Sequence, residues 1–452
     1  MSLNLDKITP ELIEKTIREK NIKFIRYLYI DLDNVIRGRV STAKNIDTDL
    51  RGGLTLAMIM QSGFSITDLA VSGTIYGPRG EVTLIPDIST FKVLPYVDAT
   101  AAMIVEQYVG DKPHEVDPRP KLRGYLKNLG YEFKIGIEPE FYILKKSPRG
   151  VIEPYERHLC FSTEGMNAVH PILSEIVNAL EYQGIYVDHY YPEYGSGQHE
   201  LSLKPEAPIR AADNFIYFRE TLRGVLGKHS LYASFMPKPS ENLPGSGLHI
   251  HISMWRDGVN IFYDEGDKHL LSDEAYHFIG GVLGHLKEII AFTASSVNSY
   301  KRLRPSAWAS AFTCYGPENR EAAIRIARPA KGREAQSVRL EMKFVDATAN
   351  PYLAIGSIIA AGIDGVMKKM DPGEPCLDNP ASYPEKDREE RGWYRYPETL
   401  LEAIKELDRS VLMREFWGDT LVSEYVKLKK FQWDQYYYRV TDWERSTFLD
   451  VY

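Results

Sequence analysis

The sequence predicts an α+β chain of two domains, and three features predict it. Apolar strands alternate with amphipathic helices without regular βαβ repeats. A proline- and charge-rich joint, GDKPHEVDPRPKL at 110–122, separates a shorter amino-terminal part from a longer remainder. The length, 452 residues, exceeds what one hydrophobic core usually organises. The expected domains are therefore 1–112 and 113–452.

Each element follows in order. TPELIEKTIREKN reads as a helix with Thr9 as N-cap and Pro10 at its first position. KFIRYLYIDL and VIRGRV read as paired strands around the turn residues Asp33 and Asn34. Beyond the joint, HPILSEIVNALEYQG and EAYHFIGGVLGHLKEIIAF carry helical amphipathic spacing. YLAIGSIIAAGI is too short to span a bilayer and reads as a buried helix. The proline- and charge-rich stretch from Asp371 to Pro397 is expected to be a long mobile loop.

Composition excludes several classes of function. Hydrophobic content of 44% and charged content of 26% are ordinary globular values. A net charge of −7 argues against nucleic acid as a partner. Cys160, Cys314 and Cys376 form no CxxC pair, which fits a reducing compartment without a disulfide framework or thiolate zinc site. The opening MSLNLDKITPELIEK lacks the apolar core of a secretory leader. The expectation is a cytoplasmic protein with no membrane partner.

The chemistry lies in segments with polar residues two apart, because side chains alternate along a strand. FKIGIEPEFYIL sets Glu138 and Glu140 on one face. GLHIHISMW sets His249, His251 and Ser253 together, and SVRLEMKFVD sets Arg339, Glu341 and Lys343 together. PEYGSGQHEL adds Glu193, Gln198 and Glu200 around a glycine-rich bend. A single such strand is explained by a solvated outer face. Convergence of all of them would crowd carboxylates that only cations could neutralise, and hard divalent ions prefer oxygen ligands. The basic residues on the same strands suit a nucleotide triphosphate bridged by those metals. No GxxxxGK[ST] phosphate loop is present, so an ATP site must be built another way.

These segments, in order with EVTLIPDISTF, FMPKP, NSYKRL, ENREAAIRI, RLEMKFVDATANPYLA and the closing VTDWERSTFLDVY, resemble the glutamine synthetase family over nearly the whole chain. The resemblance implies a small β-grasp-like amino-terminal domain. It also implies a large catalytic domain whose curved antiparallel sheet lines a metal-binding funnel. Stacked hexameric rings follow, with each site completed by a neighbouring subunit. It implies ATP as substrate and two or more Mg²⁺ or Mn²⁺ ions. By position, Glu140, Glu193 and Glu200 would hold one metal, and Glu138, His249 and Glu341 the metal on the ATP phosphates. His251 and Ser253 would contact the nucleotide, and Arg325 and Arg339 its phosphates. Arg320 would steady the transferred phosphoryl group, while Arg302 and Gly245 would bind glutamate.

The sequence departs from the family pattern where substrates are chosen. Ammonia-using members carry a glutamate on a flap after SYKRL, and that position here is Trp308. Indole offers an N–H donor, a flat apolar wall and a π-face for an organic cation, but no base. Family members that join glutamate to larger amines carry an aromatic there. A core placement of Trp308, with no ligand contact, is the competing reading. Lys343 replaces the glutamate-binding arginine, losing its bidentate fork, with a salt-bridge partner as its plainer role. Leu243-Pro244 replace Asp-Asn before GSG, and Glu81 replaces an aspartate that helps bind ammonium. Asp68 is a weak replacement for an upstream acid. Lys301 and Arg304 read as solvated or ion-paired, and RGWYRYPETL carries no modification motif.

The expected activity is an ATP-dependent ligation of glutamate, through an acyl phosphate, to an organic amine. The alternatives are an ammonia-dependent glutamine synthetase and a catalytically inactive ring of the same fold.

Overall fold

The structure, a computed structural model, describes residues 8–147 and 152–452. Residues 1–7 of the amino-terminal stretch read for a leader lie outside the described residues. The first helix, Pro10–Glu19, is capped by the Thr9 side chain, which accepts from Leu12 N. Strands Phe24–Ile30 and Ile36–Thr42 then pair antiparallel, and Asn34 turns between them with φ of 64°. Asparagine tolerates this left-handed geometry better than most residues. The hairpin joins a seven-stranded sheet centred on Thr100–Val109, which pairs parallel to Phe24–Ile30 and antiparallel to Glu81–Pro86.

A second, ten-stranded sheet runs through the larger part of the chain. Its centre is the long strand Glu132–Lys146, flanked by Gln198–Glu206 on one side and Leu248–Arg256 on the other. Arg339–Met342, Ile324–Ala327 and Tyr315–Pro317 continue it outward. One face is apolar: Phe133, Ile135, Ile137, Leu248, Ile250, Ile252, Leu340 and Ile324 all join the main core. Each such side chain contributes about 1.5–3 kcal/mol when fully buried. A slip of one residue would turn that face out and send glutamates into the core, so burial fixes the register.

The helices Thr163–Tyr182, Pro208–Lys228 and Pro351–Lys368 contribute to the same core. The last contains YLAIGSIIAAGI and is buried as expected. No helix among the described residues is long and apolar enough to cross a membrane.

The joint is tightly packed. Asp117 caps helix Pro118–Asn128, and Arg119 is buried in ion pairs with Asp87, Glu106 and Asp213, tying both sheets' surroundings together. The stretch 371–397 differs from the expected structureless loop. It holds the short helix Glu385–Glu390, and Cys376 and Trp393 bury against Phe312 and Cys314 in a small separate core. Its prolines and charges mask these few apolar anchors, which have no helical or strand period.

Candidate active site

Cross-strand register assembles the polar face of the large sheet. His249 lies opposite Glu138, and Glu200 opposite Glu140. Glu341 lies opposite both His251 and Arg325 on its two neighbouring strands. Glu193 follows strand Val187–Pro192, and its N–H donates to Gln198 O at 2.9 Å across the bend. Three groups bring ligand atoms within 4.8 Å of one another: Glu140–Glu193–Glu200, Glu138–Glu200–His249 and Glu138–His251–Glu341. The first is the expected set. In the other two, Glu138 is shared, and His251, which the family resemblance assigns to the nucleotide, stands with Glu138 and Glu341 in the place expected of His249. His251 Nε2 is 3.0 Å from Glu138, while His249 Nδ1 is 3.4 Å from Glu341.

The electrostatics divide the cluster. Burial and then repulsion from Glu140 push Glu193 up to about 7. Burial and the neighbouring Glu138 and Glu140 carboxylates raise Glu200 well above the usual carboxylate range, and burial raises Glu140. Glu341 behaves oppositely: burial opposes its charge, but Lys343, His249, His251 and Arg325 hold it well below the usual range. Arg325 donates from Nε to Glu341, and Lys343 Nζ lies 3.7 Å from the same carboxylate. Burial, with Lys343 next, keeps His249 neutral, the form that can donate a lone pair to a metal.

Around Arg302 the backbone approaches closely. A Cβ on Gly245 would lie 2.8 Å from Arg302 Cγ and 2.9 Å from Pro237 O. One on Gly247 would lie 2.6 Å from an Arg302 guanidinium nitrogen. Arg302 is buried and fixed by donation to Val345 O at 3.2 Å and Lys343 O at 3.0 Å. Gln198 Nε2 donates to Gly245 O at 2.9 Å, and Gly247 N to Glu140 at 2.9 Å. The glycine segment thus connects the guanidinium to the carboxylate cluster.

One cavity of about 840 Å³ holds these parts together. Its wall includes Trp308, which is 58% exposed and stands edge-on to Tyr194 with ring centroids 6.0 Å apart. Phe161 and Tyr191, stacked at 4.6 Å, add to the same lining.

Sequence models of the glutamine synthetase N-terminal domain and catalytic domain match residues 11–121 and 115–448. The chain belongs to the glutamine synthetase family. It is an enzyme of the carbon–nitrogen ligase type. The glutamine synthetase of Methanocaldococcus jannaschii is 33% identical over 448 residues, covering 96% of each chain. That of Pyrococcus horikoshii is 34% identical over 421 residues, covering 92% of this chain and 90% of its own. Among solved structures, a complex of GmaS with ADP aligns with TM-score 0.85 and 27% identity, covering 97% of this chain and 99% of that one. Ligand-free GmaS aligns at TM-score 0.84 and 28% identity, with the same coverage.

The cavity of this glutamine synthetase family member gathers most of the expected residues. Glu138, Glu140, Glu193, Glu200, His249 and Glu341 line it, as do Gly245, Arg302, Lys343, Arg320, Arg325 and Trp308. Trp308 is therefore no core residue. Lys343 is buried, pairs with Glu341 as its plainer role expects, and also lines the cavity. Leu243 and Pro244 line the cavity too, and Tyr142 OH donates to Pro244 O at 2.9 Å.

Other expected residues lie off this lining. His251 sits behind Glu138, and Arg339 Nε donates to His251 Nδ1 at 3.1 Å. Ser253 accepts from Trp255 Nε1 at 2.8 Å. Glu81 begins a strand of the amino-terminal sheet, exposed and opposite Ala57. Asp68 pairs with Arg37 at 2.8 Å. Lys301 and Arg304, by contrast, both line the cavity and are exposed there, with Lys301 also over the Tyr436 ring. Sequence reasoning missed Phe161, Tyr191, Tyr194 and Glu321. Tyr191 and Tyr194 had one signal, the aromatics around PEYGSG, which does not say which way a ring faces; Phe161 and Glu321 had none.

Proposed function

We propose that this enzyme uses ATP to join the γ-carboxylate of glutamate to an organic amine, giving a γ-glutamyl amide. The observation that carries the reading is Trp308. At the flap position where ammonia-using members are expected to carry a glutamate, an exposed indole faces the cavity. Ammonium is small and strongly hydrated and gains little from that wall. An alkylamine can bury methylenes there, at about 0.8 kcal/mol each, and its cationic form is attracted to the ring faces. The likeness to GmaS, the γ-glutamylmethylamide synthetase, agrees with an amine acceptor.

The donor set fits divalent cations, because Glu140, Glu193 and Glu200 repel one another and are pushed toward their neutral forms. These residues, with Glu138, His249 and Glu341, would hold Mg²⁺ or Mn²⁺. Bound there, the ions supply charge neutralisation and Lewis acidity toward the phosphates of ATP.

The chain's own groups do the rest. A carboxylate is a poor acyl donor until the γ-phosphoryl group of ATP makes it an acyl phosphate. Arg302, rigid on its two carbonyls, holds glutamate, and Gly245 leaves room for it. Arg320 and Arg325 face the cavity where negative charge accumulates on the transferred group, with Arg339 behind them. A neutral amine then attacks the acyl carbon and expels phosphate. The departing phosphate can accept the proton that the amine must lose, since Glu193 is occupied as a metal ligand. Trp308 and Tyr194 restrict water, which would otherwise hydrolyse the intermediate.

Glu81 is exposed and does not line its own chain's cavity. In the stacked hexameric rings that the family resemblance implies, it would serve a neighbouring subunit's amine site. The curated relatives are glutamine synthetases, and they favour ammonium as the second reading of the acceptor. Phosphate release from ATP and glutamate, measured with ammonium, methylamine, ethanolamine, putrescine and longer amines at one pH, separates the two. The highest kcat/KM is expected with an organic amine. Silence with every amine, despite bound ATP and metal, would point to an inactive ring or a different acid.

A further inference from the structure

The loop that carries Trp308 is held in a costly conformation. Ser306, Trp308 and Ser310 have φ of 56°, 55° and 65°. Residues with a Cβ enter this left-handed region only when their surroundings enforce it. Two anchors act at the loop's ends. Asn379 Nδ2 donates to Ser306 Oγ at 3.0 Å, and the hydroxyls of Ser310 and Tyr396 lie 2.5 Å apart. Neither touches the residue that bears the indole.

The middle of the loop is held by one carboxylate. Trp308 N donates to Glu321 Oε1 at 2.8 Å, and the Ser306 N–H adds a second such bond. Glu321 is only 9% exposed, and its own N–H donates to Asn319 Oδ1 at 2.9 Å. Lys343, the cation that most offsets its charge, pairs instead with Glu341 at 3.7 Å. A buried carboxylate is costly unless hydrogen bonds compensate it, so the two backbone bonds are what make this placement tenable. Glu321 also sits one residue from Arg320, which lines the cavity. The segment that faces the transferred phosphoryl group thus grips the loop that faces the acceptor.

We propose that Glu321 is a positioning residue, whose carboxylate holds the Trp308 loop so that the indole forms the acceptor side of the cavity. This rests on the reading of Trp308 as the amine wall. Glu321 touches no substrate; it acts through the backbone of Trp308 and Ser306. The free energy stored in the left-handed residues is retained while that carboxylate accepts their N–H groups. Without it, the loop relaxes, the indole leaves the wall and water reaches the acyl phosphate. The side-chain oxygen of glutamine can still accept an N–H, so Glu321→Gln preserves the arrangement and Glu321→Ala abolishes it.

The test compares the full-length wild-type protein with Glu321→Ala and Glu321→Gln in two measurements. Hydrogen exchange of the peptide spanning 304–312 is expected to be about tenfold faster in Glu321→Ala and within about twofold of wild type in Glu321→Gln. In steady-state turnover, Glu321→Ala is expected to raise the amine KM about tenfold, leave the ATP KM unchanged and increase phosphate release without amine, while Glu321→Gln stays near wild type. Unchanged exchange in Glu321→Ala, equal exchange in the two variants, or a parallel rise in both KM values would overturn the proposal. If the wild type prefers ammonium, the amine-wall reading fails by itself, and the exchange comparison still decides whether Glu321 holds the loop.

Discussion

Trp308 meets Tyr194 edge-on, with ring planes at 70° and centroids 6.0 Å apart, on the wall of the cavity that gathers the glutamate carboxylates. The two rings come from separate segments of the chain. Tyr194 follows Glu193 in the glycine-rich bend, and Trp308 follows the short helix Ser299–Arg302, which ends on the buried Arg302. An acceptor entering beside them would meet apolar surface next to the Glu193 carboxylate.

Replacing that indole should change the acceptor. Trp308→Glu restores a carboxylate and is expected to shift the ratio of kcat/KM for ammonium over butylamine upward by about tenfold or more, roughly 1.4 kcal/mol. Trp308→Ala removes the wall and is expected to cost butylamine about tenfold, the worth of two lost methylene contacts. An unchanged ratio in Trp308→Glu would place the residue outside the acceptor site.

Metal binding should depend on pH through the acidic cluster. Burial and Glu140 raise Glu193 to about 7, so in the metal-free protein it is largely protonated at pH 6 and largely ionised at pH 8. A cation competes with that proton, so affinity rises with pH across this window and binding releases protons. Titration calorimetry with Mn²⁺ in buffers of different ionisation enthalpy measures both. A Kd independent of pH between 6 and 8, with no proton release, would contradict the assignment.

The glycine beside Arg302 should be intolerant of a methyl group. Gly245→Ala sets a Cβ 2.8 Å from Arg302 Cγ, which must move or strain at about 1–3 kcal/mol. The glutamate KM is expected to rise on the order of tenfold while the ATP KM stays near wild type, because nothing at the phosphate side is displaced. Equal changes in both would indicate general loosening of the sheet.

The ion-pair centre at the joint should be a stability element. Arg119 is buried against Asp87, Glu106 and Asp213. Arg119→Met leaves Asp213 without its cation and Asp87 and Glu106 with Arg123 alone, and breaking a buried pair in this way typically costs about 3–5 kcal/mol. Urea unfolding should show the loss at pH 7. Burial opposes ionisation of Asp87, but Arg119 and its other partners hold its carboxyl at about 2. A group depressed this way contributes its stability above its ordinary unfolded pKa and loses it as pH falls toward 2, so the difference between variant and wild type should shrink in acid.

The legible part of this molecule was the part governed by local periodicity. Glu138 with Glu140, and His249 with His251, lie two apart on strands, and strand geometry alone puts each pair on one face. The pairing of His251 with Glu138 and Glu341 was not legible, because it depends on cross-strand register set by the burial of Ile135, Ile250 and Leu340. Trp308 was legible as an apolar wall, and its exposure on the cavity agrees with that reading over a core placement; its left-handed backbone and its bond to Glu321 were not legible. Glu321 itself gives no local signal, since its partner is thirteen positions away in the chain. The stretch 371–397 was misread because prolines and charges dominate it, while Cys376 and Trp393 find their core only in three dimensions.

The central claim, an organic amine in place of ammonia, is tested most directly by competition in one reaction. Enzyme, ATP, Mg²⁺ and glutamate are supplied with ammonium and an equal concentration of alkylamine, and glutamine and γ-glutamyl alkylamide are counted by mass spectrometry. The amide is expected to exceed glutamine by about tenfold or more, from two or more methylenes buried against the indole. Glutamine as the main product would contradict it.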